Sequence, residues 1–188
     1  MPVLHEEIET NYISGESLPW VAFTPYSDEV FMKYWKIDSV RGEVVVSMRF
    51  PPGLELPTHY HTGIVIAHTV RGAWRYKEHD WVSGRGDTVY ETAASSHTPE
   101  SVGEEEAEVF FYVIGELEFV DESGNLRARE NAKTALARYE AHCETNGLQA
   151  LDLTVRHLTH PGSRNQYVRR VQQCRRPNGG EGTCDRTN

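Results

Sequence analysis

The chain has 188 residues, of which 38% are hydrophobic, and it carries a formal net charge of −9. This length is enough for one domain with a core of its own. The acidic balance argues against nucleic acid as the main partner, and no apolar stretch approaches the roughly 20 residues that a membrane span needs.

The chain contains three cysteines, Cys143, Cys174 and Cys184, and no Cys-x-x-Cys pair. Their odd number predicts neither a disulfide framework nor a structural zinc cluster. The N-terminal residues are acidic and lack the apolar core of a signal peptide. We therefore expect a cytoplasmic protein whose thiols stay reduced.

Residues 1–18 are polar and predict an N-terminal arm, whereas residues 19–154 predict the folded domain. Within this domain, short runs rich in β-branched and aromatic residues recur between Gly- and Pro-rich breaks. They cover residues 30–37, 43–50, 59–61, 64–70, 73–81, 88–91 and 108–119. About nine short strands at such spacing are typical of an all-β sandwich or barrel.

The periodicity changes at Glu130. Apolar side chains then recur at helical spacing, at Ala132, Leu136, Tyr139 and Cys143, and Gly147 follows as a C-terminal cap. We predict an amphipathic helix over residues 130–145 that packs on the outside of the barrel. Residues 155–188 are rich in arginine and predict a basic, poorly ordered tail, with a charge-based contact to an acidic neighbouring subunit as the alternative.

Two histidines on one short strand, His59 and His61, form the main functional signal. Side chains alternate faces along a strand, so both imidazoles point the same way, about 7 Å apart along the chain. In an apolar lumen without a partner, each unsatisfied nitrogen would cost roughly 1–3 kcal/mol. A shared metal ion removes this cost, and a pair of solvated surface histidines is the alternative.

The spacing between the histidine pair and its flanking glycines resembles the first motif of the cupin family. That motif is a glycine, five residues, His-x-His and a later glycine. In this sequence the four positions are Gly53, His59, His61 and Gly72.

The second cupin motif is a glycine, five residues, Pro-x-Gly, two residues and a histidine. Gly86 and His97 stand at its first and last positions. Thr92 takes the place of the proline and Ala94 that of the inner glycine. The histidine frame is therefore intact, and the turn before His97 is altered.

The resemblance implies a cupin jelly-roll barrel, or double-stranded β-helix, with His59, His61 and His97 as catalytic metal ligands. The glutamate ligand of many cupins would fall on Val65 or Ile66, and neither side chain binds metal. The site is therefore of the three-histidine type. Such a site suits Fe(II) that holds a bidentate substrate and O2 together, and zinc accepts the same ligands.

Further segments resemble the 2,4'-dihydroxyacetophenone dioxygenase family of cupins, over about residues 18–150. These segments are residues 61–63, 71–76, 80–82, 89–91, 96–98, 124–131, 138–139 and 143–144. The likeness implies a non-haem Fe(II) dioxygenase that cleaves the bond between a ketone and its hydroxymethyl carbon, giving an aromatic acid and formate. Its substrates would be a small aromatic ketone and O2, and it would form a homodimer or homotetramer.

Several residues near the motifs are predicted to lie around the metal. Five aromatic side chains are candidates for an apolar substrate pocket, with plain core packing as the alternative: Tyr60, Trp74, Tyr76, Phe111 and Tyr112. Two carboxylates are candidates for accepting an imidazole N–H, with solvated side chains as the alternative: Glu91 and Glu100.

Three other functions fit the same histidines. A β-diketone-cleaving cupin dioxygenase would share the metal site and differ only in the pocket. A zinc-binding cupin sensor or regulatory domain, resembling the cupin half of some anti-sigma factors, would hold zinc and lack O2 chemistry. A non-catalytic module would use the lumen to bind a small molecule.

Overall fold

The computed structural model describes residues 12–121 and 123–154. In this part of the chain there are thirteen strands, a short 3-10 helix at Gly15–Ser17 and one α-helix, α1, at Ala132–Thr145. The strands in chain order are β1 (Val21–Ala22), β2 (Phe31–Asp38), β3 (Glu43–Phe50), β4 (His59–His61), β5 (Val65–Arg71), β6 (Ala73–Tyr76), β7 (Ser83–Gly84), β8 (Thr88–Glu91), β9 (Ser96–His97), β10 (Pro99–Val102), β11 (Ala107–Ile114), β12 (Leu117–Val120) and β13 (Leu126–Glu130).

The strands form three antiparallel sheets, which we call sheets A, B and C. Sheet A has the order β1-β2-β3-β11-β5-β8, sheet B the order β10-β6-β7, and sheet C the order β13-β12-β4-β9. Strands that are distant in sequence pair with one another, as β3 does with β11 and β4 with β12. The prediction of an all-β fold with a C-terminal helix is confirmed.

Strand β5 shows how the sequence produces these sheets. Its residues alternate between buried and more exposed positions from Val65 onward, as expected when one face of a strand meets the core. The inner faces of the strands form one core, whose largest fully buried side chains include Trp74, Tyr34, Tyr139, Phe23 and Ile37.

The long strand predicted over residues 108–119 is divided at Gly115. This glycine has a φ of +90°, and a Cβ there would lie 2.6 Å from the Oγ1 of Thr62. The chain therefore turns closely past the segment after β4 and leaves sheet A for sheet C. The strand predicted over residues 73–81 likewise ends early, at Tyr76.

Helix α1 begins after Asn131, whose side chain accepts a hydrogen bond from the backbone N–H of Thr134. The side chain of Thr134 accepts one from Asn131 in return, which completes a capping box. The residues that the helix buries are Ala132, Ala135, Tyr139 and Cys143. The predicted helix is confirmed, although Glu130 belongs to β13 and not to the helix.

Residues 1–11 and 155–188 lie outside the described residues, as do the predictions made for most of the N-terminal arm and for the basic tail with Cys174 and Cys184. Cys143 is buried, as expected of a core residue. In the portion that the structure covers, no helix is long and apolar enough to cross a membrane.

Candidate metal centre

The three histidines lie on the inner face of sheet C. Strand β4 pairs with β9 so that His59 is directly opposite His97, and His61 lies two residues further along on the same face. All three side chains are buried. The ring centroid of His61 is 4.8 Å from that of His59 and 5.1 Å from that of His97. The two motifs of the sequence thus meet in space.

A carboxylate joins these histidines from sheet A. Glu91 is the last residue of β8, lies opposite Val65 of β5 and is buried. Its Oε2 lies 2.9 Å from Nε2 of His61 and 3.4 Å from Nε2 of His97. The ligand atoms of these three residues lie within 4.8 Å of one another, and His59 borders the group.

Glu91 and His61 approach closely, but no hydrogen bond of good angular geometry joins Oε2 to Nε2. Within the described ranges, the buried side-chain atoms that lack a hydrogen-bond partner are Nδ1 and Nε2 of His61 and Oε2 of Glu91. Two atoms bound to one ion at about 2.1 Å are about 3.0 Å apart at a right angle and about 3.4 Å apart at a tetrahedral angle. The observed separations of 2.9 and 3.4 Å therefore fit a shared cation.

The ring of His59 is in the protonation state that a metal ligand needs. Its Nδ1 lies 3.0 Å from the carbonyl oxygen of Pro57. Because a carbonyl only accepts, Nδ1 carries the proton and Nε2 keeps its lone pair. Burial, together with the nearby His61, lowers the pKa of His59 to about 4, so the imidazole is neutral at pH 7.

Tyr76 positions both Glu91 and His97. Its hydroxyl donates a hydrogen bond to Oε1 of Glu91, and its ring stacks on His97 at a centroid distance of 4.0 Å. Burial and the Glu91 carboxylate raise the pKa of Tyr76 well above its ordinary value, so the phenol remains a donor.

The Glu91 carboxyl is ionised at neutral pH. Burial acts to raise its pKa, but the interactions with His61, His97 and Tyr76 outweigh burial and lower the pKa to about 2. Neutral imidazoles and an ionised carboxylate are the ligand types that bind divalent transition metals. The donor set therefore fits a metal ion.

An apolar cavity of about 80 Å³ lies beside the donors. The donors His59, His61 and Glu91 form part of its wall. Three of the predicted pocket aromatics also line it: Trp74, Tyr76 and Phe111.

Three other residues that were predicted to surround the metal are not among those that line this cavity. Tyr60 is 42% exposed on the outer face of β4, and Tyr112 is not among the residues that line the cavity. Each of them neighbours an inward residue on its strand and so faces outward. Glu100 forms an ion pair with Arg75.

Glu78 was not predicted from the sequence, and it is linked by hydrogen bonds to the threonines beside His59 and His97. Its carboxylate accepts hydrogen bonds from the backbone N–H and the hydroxyl of Thr98, at 3.0 and 2.8 Å. The Thr98 hydroxyl is in turn 2.8 Å from that of Thr58. A threonine next to a histidine in each motif is the sequence signal that points to this network.

The altered turn before His97 keeps the backbone conformation of the glycine that it lacks. Ala94 has a φ of +64°, in the left-handed region that an alanine rarely adopts. Its N–H donates to the carbonyl of His61 at 2.7 Å, and the carbonyl of Ser95 accepts from the N–H of His61 at 3.0 Å. The turn therefore holds His61 despite the substitution.

Residues 9–118 match the protein family described as the ChrR cupin-like domain. The sequence has no significant match among curated proteins. Among solved structures, the chain is similar to an RmlC-like cupin protein from Ralstonia eutropha JMP134. The two are 47% identical with a TM-score of 0.77, over 79% of this chain and 96% of that one.

Two further structures share the fold at lower identity. A second protein with a cupin-like fold from Ralstonia eutropha JMP134 is 22% identical, with a TM-score of 0.73, over 84% of this chain and 99% of that one. An acetylacetone dioxygenase from Acinetobacter johnsonii is 17% identical, with a TM-score of 0.63, over 75% of this chain and 97% of that one. The predicted barrel architecture is confirmed by these likenesses.

Proposed function

The chain belongs to the ChrR cupin-like domain family, and from its buried donor cluster we propose that it is a non-haem Fe(II) dioxygenase. It cleaves a C–C bond of an aromatic hydroxy-ketone such as 2,4'-dihydroxyacetophenone and releases an aromatic acid and formate. The observation that carries this proposal is the set of unpaired ligand atoms on His61 and Glu91 at the wall of an apolar cavity.

In this proposal His59, His61 and His97 hold the iron, and Glu91 binds the same ion or lies against it. Iron bound there would supply a Lewis acid for the ketone oxygens and a redox-active centre through which the substrate's electrons reduce O2. The Glu91 carboxylate offsets part of the charge of the ion. Glu91 thus takes a more direct role than the sequence analysis gave it.

The protein's own contribution is orientation and the exclusion of water. The carbonyl of Pro57 fixes the His59 ring, and Tyr76 fixes Glu91 and His97. Such partners keep metal ligands in one orientation before the metal binds. The apolar side chains of Trp74 and Phe111 line the cavity, which suits the aromatic ring of a ketone and keeps the reaction away from bulk water.

Isotope labelling tests the proposal directly. The Fe(II)-loaded protein is incubated with 2,4'-dihydroxyacetophenone under ¹⁸O2, and the products are analysed by mass spectrometry. We expect one labelled oxygen atom in the aromatic acid and one in formate. Label absent from both products would mean that O2 supplies neither oxygen atom, which would overturn the proposal.

A second substrate class is the β-diketones. It is supported by the shared fold with the acetylacetone dioxygenase of Acinetobacter johnsonii. The same iron-loaded protein is offered pentane-2,4-dione in place of the hydroxy-ketone. Faster consumption of the diketone would reassign the substrate while leaving the metal centre in place.

A zinc-binding regulatory domain is the other alternative, which the ChrR description of the family favours. The metal content of protein produced with iron and zinc together discriminates between these roles. Iron bound at one equivalent supports the dioxygenase, whereas zinc retained against excess iron supports the regulatory domain.

A further inference from the structure

The cavity has a second polar region, two strands away from the metal donors. In sheet C, Leu117 of β12 lies directly opposite His61 on one side and Glu130 on the other. Adjacent strands are about 4.8 Å apart, so the Cα atoms of His61 and Glu130 are separated by about 10 Å. Directly opposed residues face the same side of a sheet, and all three line the cavity.

Glu130 is buried and ionically paired, but it retains accepting capacity. Arg138 of α1 donates to both carboxylate oxygens at 2.6 Å, and the two side chains are 9% and 8% exposed. These two bonds occupy two of the roughly four acceptor sites of a carboxylate. The pair is neutral as a whole, so it offers hydrogen bonding without a net charge.

Tyr34 adds a donor beside this pair. It is 1% exposed and lines the cavity, and its hydroxyl accepts a hydrogen bond from Arg138 at 2.7 Å. Across residues 12–121 and 123–154, no acceptor is seen for the hydrogen of this hydroxyl. Burial raises the pKa of Tyr34 to about 12 in spite of Arg138, so that hydrogen is retained at neutral pH.

We propose that Glu130 and Tyr34 form a far-end site that recognises a neutral hydroxyl group on the substrate's ring, opposite the oxygens that face the metal. The substrate hydroxyl donates to the Glu130 carboxylate and accepts from the Tyr34 hydroxyl. The inference rests on the proposed function for the substrate and for the orientation of its ring, and it assigns the residues that determine specificity for the ring hydroxyl.

The rest of the cavity gives this site its selectivity. Apart from the metal donors and this group, the wall is mainly apolar, with Met32, Val44, Val46 and Phe50 among its members. A hydroxyl buried there without a partner would be unfavourable. A carboxylate or an ammonium group would meet a neutral ion pair and lose its hydration without a compensating charge.

The binding of unreactive ketones tests the far-end site. Calorimetry under nitrogen with Fe(II)-loaded protein compares 4'-hydroxyacetophenone, 4'-methoxyacetophenone and acetophenone. One hydrogen bond to a charged group predicts that the hydroxylated ketone binds about 10- to 100-fold more tightly than the other two. The methoxy compound is included because it cannot donate.

Two variants test whether the preference for the hydroxylated ketone arises at Tyr34. Tyr34→Phe should reduce the preference for the hydroxylated ketone about tenfold and leave the affinity for acetophenone unchanged. Tyr139→Phe is the matched control, because the ring of Tyr139 lies 6.5 Å from that of Tyr34 but Tyr139 is not among the residues that line the cavity. The preference should survive in this control.

Three results would overturn the far-end site: equal affinities for the three ketones in the unchanged protein, a preference that persists in Tyr34→Phe, or binding of none of the ketones. If Tyr34→Phe does not fold, the affinities of the unchanged protein for the hydroxylated and the methoxylated ketone decide whether the far-end site exists. If the protein binds the hydroxylated ketone selectively but consumes no O2, the proposed dioxygenase activity is wrong and the far-end site is supported. If it turns over hydroxy-ketones with and without the ring hydroxyl at equal kcat/KM, the dioxygenase activity is supported and the far-end site is wrong.

Discussion

Glu91 of sheet A and His61 of sheet C face each other across the boundary between the two sheets, with 2.9 Å between Oε2 and Nε2. Neither atom has a hydrogen-bond partner in the described structure. Burying polar atoms of this kind is unfavourable unless a further group, such as a metal ion, binds them. Their proximity is the structural basis for the proposed metal site.

The first prediction concerns the metal affinity of a Glu91 variant. Glu91→Gln keeps the size of the side chain and removes its charge, so we expect the affinity for Fe(II) or Zn(II) to fall about 10- to 100-fold. Competition with a chelator of known affinity measures this change. Glu100→Gln is the matched control, because Glu100 pairs with Arg75. If both variants bind the metal with equal affinity, Glu91 does not contribute to the metal centre.

The second prediction concerns stability with and without metal. Metal that binds only the folded state stabilises it by about 2.7 kcal/mol at a free concentration one hundred times its Kd. We expect the free energy of unfolding in urea to rise by this amount on loading. His97→Ala should lose most of the gain, since it removes a ligand, and an undiminished gain in that variant would place the metal elsewhere.

The sequence predicted the histidines because their signal is local. His59 and His61 share a face by strand alternation alone, and the spacing to His97 matched a known motif. Glu91 was predicted only as an acceptor for an imidazole N–H. Its position among the metal donors depends on the pairing of β8 with β5, where Glu91 lies opposite Val65, and on how sheet A meets sheet C. Such long-range register is not readable from one sequence.

Strand β13 and the break at Gly115 were missed for local reasons. Strand β13 consists of Leu126–Glu130, and three of its five residues are charged, so its alternation between apolar and polar residues is weak. The break at Gly115 was missed because apolar residues continue on both sides of it. The apolar pattern alone does not show that this glycine closes a tight turn onto Thr62.

The third prediction tests that close packing at the segment after β4. A Cβ on Gly63 would lie 2.1 Å from the carbonyl oxygen of Ile114, so the backbone must shift to accept Gly63→Ala. We expect a loss of roughly 1–3 kcal/mol in the free energy of unfolding. Gly84→Ala is the control, because its Cβ would meet only the Asp87 carboxylate at 3.8 Å. Equal losses in the two variants would contradict this packing.

The fourth prediction concerns the turn at Ala94. A left-handed conformation costs an alanine roughly 1–2 kcal/mol. Glycine avoids this cost, but it increases the conformational entropy of the unfolded chain, which destabilises the folded protein by about 0.4–1 kcal/mol. Ala94→Gly should therefore stabilise the protein by up to about 1.6 kcal/mol, measured by urea unfolding. A destabilised variant would mean that the methyl group makes a contact worth more than the strain.

The fifth prediction concerns the buried ion pair that joins α1 to β13. Arg138→Met leaves the Glu130 carboxylate buried without its partner, which typically costs about 3–5 kcal/mol. Arg127→Met is the matched control, because Arg127 is 67% exposed in its pair with Asp121 and should lose less than about 1 kcal/mol. Similar losses in thermal unfolding would show that Arg138 does not stabilise the end of the barrel.

The most direct measurement is O2 consumption by the Fe(II)-loaded protein when 2,4'-dihydroxyacetophenone is added. Our account predicts one O2 consumed for each formate and each 4-hydroxybenzoate formed, with the activity lost in His97→Ala and in protein loaded with zinc. Protein that carries one equivalent of iron and consumes no O2 with this ketone would contradict the proposed reaction.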